Sequence, residues 1–222
     1  INDTSTVIFS GANAFIPSSS GSYTVKFFTQ LTSDQVVDND TMSIVYNILP
    51  SPITVYPYVE NFTNPIGWTT TGALWKYTSA YSPIATVTPD SAYKADFYNA
   101  DTTVSGMLRT PIFNFTGVTN PKLDFYVAYR TYTIQDDSLQ IWVSTDMGQT
   151  FVPGSPVLYQ KSYTSTPSLS TLNPNVAIFI PSASSDWRLE TVDLSQFAGN
   201  ASIMIAFKGI SDNGNNCWID QV

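Results

Sequence analysis

Two stretches decide the fold of this chain: Lys122-Leu-Asp-Phe-Tyr-Val-Ala-Tyr-Arg-Thr-Tyr132 and Ser138-Leu-Gln-Ile-Trp-Val-Ser144. Both alternate apolar and polar residues with a period of two, the pattern of a strand with one face buried. In the first, Leu123, Phe125, Val127 and Tyr129 share one face, and Asp124, Tyr126, Ala128, Arg130 and Tyr132 share the other. In the second, Leu139, Ile141 and Val143 point inward, and Gln140 and Trp142 outward. Aromatic and β-branched residues at this period suit a pleated, half-buried surface.

Working outward from these strands, short strand-like runs recur from Ile53 onward with turn signals between them, which predicts a β-sandwich. Later runs are Trp187–Val192 and Ala201–Lys208. Between them Asp193-Leu-Ser-Gln-Phe-Ala-Gly199 reads as a single turn, capped by Asp193 and ended by Gly199. Towards the N-terminus, residues 22–31 and 40–48 alternate as two more strands, joined by a polar link from Asp34 to Asp40. Leu49-Pro50-Ser51-Pro52 is the natural boundary, because prolines break strand pairing and stiffen a linker. The expected fold class is all-β, with a jelly-roll sandwich over 51–222 and the C-terminal strands of an incomplete Ig-like sandwich over 1–50. Such a hairpin cannot bury a core alone. The polar start at Ile1 and the strand-like end at Val222 lead us to expect a piece of a larger protein.

Composition narrows the function. Only 12% of residues are charged, too few for a long solvated helix or coiled coil. The formal charge is −8, which argues against nucleic acid and anionic membranes, since both need clustered Lys and Arg. No apolar run nears the ~20 residues of a membrane span. Histidine is absent, which removes Ser-His-Asp and Cys-His catalysis and His-ligated metals. The one cysteine, Cys217, sits in an apolar run and reads as a buried, inert thiol. A glycosidase needs two carboxylates at a set separation. The chain has two glutamates, Glu60 and Glu190, and no local acid pair with a recognisable signature; Asp136 and Asp137 adjoin in a turn that would point them apart.

Ser144-Thr-Asp146-Met-Gly148-Gln-Thr150-Phe151 resembles the Asp-box, Ser-x-Asp-x-Gly-x-Thr-aromatic. Its physics is that of a tight hairpin, in which Asp accepts backbone N–H groups and Gly takes a positive φ. We read Ser144, Asp146, Gly148 and Thr150 as a structural turn and not as a sialidase site, because fold-level analogy carries no chemistry. A wider order of landmarks runs Glu60-Asn-Phe62, Pro65-Ile-Gly67-Trp68, Trp75, Gly106–Pro111, the strand at 123–132, Asp137–Asp146, Trp187 before Val192–Gly199, and Gly214–Val222. From about residue 56 to 222 this order resembles the cleaved-adhesin and choice-of-anchor J domains, relatives of MAM domains in secreted Bacteroidetes proteins. Gly21-Ser-Tyr-Thr-Val25 and Asn39-Asp40-Thr41 resemble the end of bacterial cell-adhesion-related Ig-like domains. The resemblance implies a calcium-supported jelly roll on a large secreted or surface protein, exported by type IX secretion, binding glycans, surface proteins or neighbouring domains. The Asp-Gly-Asp-Gly calcium loop of that family is missing before Trp75.

Three sets of candidate residues follow. Calcium takes six to eight oxygens, and Glu60 and Asp220 lie near the two ends of the sandwich, with Asp96, Asn99 and Asp101 as further donors; the bland reading makes them ordinary polar strand-end residues. Tyr126, Arg130, Tyr132, Gln140 and Trp142 share one face if the two deciding strands pair, an aromatic-polar platform suited to sugars. The bland reading has a loop cover that face as a second small core. Finally, Thr41, Ser91, Thr102 and Ser138 each follow Asp in a pattern resembling the Bacteroidetes O-glycosylation acceptor. The function expected is a non-catalytic binding or spacer module of a cell-surface or secreted adhesin-type protein. The alternatives are a carbohydrate-binding accessory of a secreted protease or glycosidase, and a stalk or filament segment.

Overall fold

A computed structural model describes residues 8, 10, 14–17, 20–28, 41–48, 50–84 and 90–222. The chain divides into two compact units, Ile1–Ser51 and Pro52–Val222. In the first, β1 (Gly21–Phe28) and β2 (Thr41–Ile48) form an antiparallel two-stranded sheet, with Gly21 opposite Ile48 and Phe28 opposite Thr41. None of its described residues is buried. The expected link from Asp34 to Asp40 and the Asn39-Asp40 entry lie outside the described residues.

The second unit is an all-β sandwich of two five-stranded antiparallel sheets. Its strands are β3 (Thr69–Thr71), β4 (Trp75–Ala80), β5 (Asp90–Ala95), β6 (Ser105–Phe113), β7 (Lys122–Tyr129), β8 (Ser138–Ser144), β9 (Tyr159–Ser162), β10 (Arg188–Asp193), β11 (Ile203–Ile210) and β12 (Cys217–Asp220). The first sheet has the order β10-β7-β12-β5-β4 and the second β3-β6-β11-β8-β9. From β5 on, every connection except β8 to β9 crosses from one sheet to the other. That crossing pattern is why the apolar faces close on a single core.

The alternation in the two deciding strands is realised. Phe125, Val127, Tyr129, Leu139, Ile141 and Val143 are fully buried between the sheets. Their pairing differs from expectation. β7 pairs with β10 and β12, and β8 with β11 and β9, so the two strands belong to opposite sheets. The turn after β7 carries the chain across the sandwich instead of folding it back as a hairpin. Trp68, Phe207 and Phe125 link the sheets across the core, with ring centroids 6.3 Å and 5.0 Å apart. The Asp193 turn forms as read: its carboxylate accepts from Ser195 N at 2.8 Å, a short 3-10 turn spans Ser195–Phe197, and Gly199 closes it at φ +78°.

Candidate functional site

The crossing of β7 and β8 splits the expected aromatic-polar face between the two outer surfaces. Tyr126 and Arg130 lie on the outside of the first sheet, and Gln140 and Trp142 on the outside of the second. The correction has a simple cause. A period of two fixes which face a residue occupies, but not which strand lies beside it.

On the first sheet the outer face is roofed. Leu172, Phe179 and Trp187, from the segment between β9 and β10, pack over Ala80, Ala92, Ala128 and Trp218 with Tyr126 at the margin. The roof is pinned by polar bonds. Trp187 Nε1 donates to Tyr81 O at 2.9 Å, and Trp218 Nε1 to Phe179 O at 3.1 Å. Asn215 accepts from Phe179 N at 2.7 Å and donates to the carbonyls of Asn175 and Ala177. The Arg130 guanidinium lies 5.4 Å from the Phe179 ring, and Tyr132 packs edge-on to Tyr98. Tyr126 also lines an apolar cavity of about 480 Å³ beside Tyr56, Tyr58, Phe113, Phe115 and Leu123. Three hydroxyls that line it serve the fold: Tyr56 OH donates to Asn114 O, Tyr58 OH to Glu60, and Thr110 to Pro111 O.

The outer face of the second sheet carries no such cluster among the described residues. Register places its side chains in rows. Thr69, Arg109, Ala206 and Trp142 stand side by side on β3, β6, β11 and β8, and Met107, Lys208, Gln140 and Gln160 form the next row across β6, β11, β8 and β9. Lys208 Nζ sits 3.9 Å from the centre of the Trp142 ring, and Trp142 Nε1 donates to Gln140 Oε1 at 2.8 Å. The Arg109 guanidinium stacks on Phe151 at 4.8 Å. Gln160 and Thr69 are exposed, and Trp142, Lys208, Arg109 and Gln140 half-buried. Sequence reasoning found Trp142 and Gln140 but missed Arg109, Phe151 and Lys208, whose place beside Trp142 depends on long-range pairing. Alternation alone could have put Arg109 and Lys208 facing outward.

The turn after β8 borders this face. Ser144 Oγ donates to Asp146 Oδ1 at 2.6 Å and accepts from Gly148 N at 2.8 Å. Asp146 accepts from Thr150 N at 2.9 Å and from Thr150 Oγ1 at 2.6 Å, and Gly148 has φ +83°. These hydrogen bonds, led by Ser144, hold the Asp146 carboxyl at about 2, well below its ordinary value.

Of the candidate calcium ligands, Glu60 and Asp220 lie on segments that meet, and Asp96 and Asn99 hydrogen-bond to each other. The backbones of Glu60 and Val222 pair, N to O at 2.7 Å and 2.9 Å, so the first segment and the strand after Asp220 do meet. The Glu60 carboxylate accepts from Phe62 N and Tyr58 OH, and the Asp220 carboxylate from Gln221 N. Asp96 is paired with Lys94 at 2.9 Å and accepts from Asn99, while Asp101 is exposed. Among the described residues no three Asp, Glu, Cys or His side chains converge to hold a metal. Of the acceptor-like positions, Thr41 and Thr102 are exposed and Ser91 half-buried. Ser138 lies within the second sheet between Ile210 and Ser162, beside a fully buried Asp137.

That Asp137 is the other polar centre sequence reasoning missed. It accepts from Asp212 N, Gly214 N, Asn215 N and Tyr129 OH at 2.7–3.2 Å, tying the turn after β7 to the loop before β12. Cys217 is buried nearby, and burial pushes its thiol far above the ordinary value.

No known family matches the sequence, and no curated protein is recognisably similar. Similarity to solved structures is by fold. The K3 cleaved adhesin domain of Lys-gingipain from Porphyromonas gingivalis aligns over 74% of this chain and 94% of its own, at 15% identity and a TM-score of 0.50. The K1 cleaved adhesin domain of the same protein gives 19% identity over the same shares with a TM-score of 0.49. A carbohydrate-binding module of the β-sandwich superfamily aligns over 90% of this chain and 72% of its own, at 12% identity and a TM-score of 0.44.

Proposed function

From a fold shared with a cleaved adhesin domain, we propose that this chain is a non-catalytic binding module of a secreted or bacterial cell-surface protein. Its contact surface is the outer face of the second sheet, and its ligand a glycan. The observation that supports this reading is the asymmetry of the two sheets. One outer face is partly roofed by Leu172, Phe179 and Trp187, whereas the other leaves Trp142, Lys208, Arg109, Gln140 and Gln160 in reach of solvent. Soluble proteins cover apolar sheet faces, so aromatic and directed polar groups left uncovered mark a contact surface. An indole with amides and cations around it matches the chemistry of sugar binding, stacking on C–H faces and hydrogen-bonding to hydroxyls.

The test is a glycan array probed with the whole chain, then repeated with Trp142→Ala and Arg130→Ala. Loss in the first and retention in the second is expected. An array without signal, or binding indifferent to Trp142, removes the reading. Residues 1–50 belong to the same proposal as the closing strands of an Ig-like neighbour. Calcium support is proposed separately, on the acidic bias and the pairing of residues 60 and 222; Glu60, Asp96 and Asn99 would have to exchange their present partners for the metal. A melting temperature that is equal with chelator and with millimolar calcium removes that part.

A further inference from the structure

We propose that this face selects anionic glycans, those bearing carboxylate or sulfate, and that Lys208 sets the selection by leaving the Trp142 ring for the ligand's acidic group. The proposal rests on the glycan-contact reading of the same face.

The charge distribution comes first. The chain has 17 acidic and 9 basic residues, yet the five strands of the second sheet contain no Asp or Glu. They carry three cations. Lys161 points inward and pairs with Glu190 at 2.6 Å. Arg109 and Lys208 point outward, and neither forms an ion pair among the described residues. The acids nearest the two ends of β8 are already engaged: Asp146 by Ser144 and Thr150, Asp137 by its buried donors, Asp136 by Thr164. The outward surface of these strands therefore carries two cations and no carboxylate of its own, with the ionised Asp146 at its border, and like-signed charges gathered on one face attract anions.

The second observation is what the cations rest on. Each lies on an aromatic ring, Lys208 on Trp142 and Arg109 on Phe151, and the Arg109 Nε is buried without a hydrogen-bond partner. A sugar that stacks on Trp142 must displace Lys208 from that ring face. An uncharged sugar gives nothing back for the lost cation–π contact. An anionic sugar offers Lys208 a charge-assisted hydrogen bond, which is stronger than a half-exposed cation–π contact. The register keeps both cations within one row of Trp142, so ring and charge are met by the same saccharide unit or its neighbour.

Calorimetry on the whole chain tests this with four probes: an oligogalacturonate, a sulfated heparin-derived oligosaccharide, an uncharged β-glucan oligomer and poly-glutamate. The anionic sugars should bind about tenfold or more tighter than the uncharged one, and more weakly as salt rises. Lys208→Gln should lower anionic affinity about tenfold and uncharged affinity by clearly less, so that the anionic preference collapses. Arg109→Gln is the second variant, expected to weaken anionic binding more than uncharged binding, and melting temperatures check that both variants fold. The carboxylated and sulfated arms tell which acid is preferred. Equal binding of charged and uncharged sugars, unchanged by Lys208→Gln, overturns the selection and leaves the glycan reading standing. No binding of any sugar overturns both. Poly-glutamate binding with the same Lys208 dependence overturns the glycan class in favour of an acidic protein.

Discussion

Asp146 and Asp137 are both carboxylates in nests of donors, but their acidities move in opposite directions. At Asp146 the hydroxyls of Ser144 and Thr150 lower the value to about 2. A carboxyl depressed in the folded state contributes stability above its unfolded value of about 4, and loses it as pH falls through the folded one. The melting-temperature gap between wild type and Asp146→Asn should therefore be full at pH 5 and shrink between pH 4 and 2. Asp146→Ala should lower the melting temperature by roughly 2–4 °C and leave ligand binding intact. At Asp137 burial outweighs the donors and raises the pKa above the ordinary carboxyl value, so its charge disfavours the fold as pH rises through the folded value. Its acceptor role dominates the mutation. Asp137→Ala leaves three backbone N–H groups and the Tyr129 hydroxyl without their acceptor, at a cost of about 3 kcal/mol. Denaturant midpoints check it. Gly214→Ala should act in the same direction, because an added Cβ would collide with the Asp137 carboxylate. The turn at Asp146 was legible in sequence, since its bonds span only four residues. The Asp137 nest was not, since its three backbone donors lie more than 70 residues away.

At the scale of elements, β9 and β10 are edge strands of opposite sheets, and their unpaired sides would invite further pairing. Inward-facing charges close that side. Glu190 Oε1 takes Arg188 Nη2 at 2.7 Å, and Glu190 Oε2 takes Lys161 Nζ at 2.6 Å. Arg188 also donates to the carbonyls of Ser168, Leu169 and Ser170. Removing the shared acid strands two cations at the rim of the core. Glu190→Gln should cost roughly 3 kcal/mol, the low end for breaking a buried pair, because Arg188 is partly solvated. A chemical-denaturation midpoint within error of wild type would contradict this. In the sequence Glu190 is one of two glutamates weighed as a catalytic acid, and its inward direction follows from alternation. Its partner Lys161 is on the other sheet, which no local pattern reveals.

For the whole molecule, stability should reside in one unit. A fragment of residues 52–222 carries the full core and should melt in one cooperative step, whereas residues 1–51 offer a two-stranded sheet with no buried described residue and should show none. Calorimetry of the two fragments decides it, and a cooperative transition in the short one would contradict the expectation. The sequence by itself determined the all-β class, the core residues of β7 and β8, the Asp146 turn and the Asp193 turn. Each depends on periodicity or on bonds within a few residues, and both are written locally. Only the tertiary structure decided that β7 and β8 lie in opposite sheets, that Tyr126 and Arg130 face a roofed surface while Trp142 faces an open one, and that Lys208 rests on its ring. Those facts depend on which strands become neighbours, which is settled by closing the core over long chain separations and not by the pattern along any one strand.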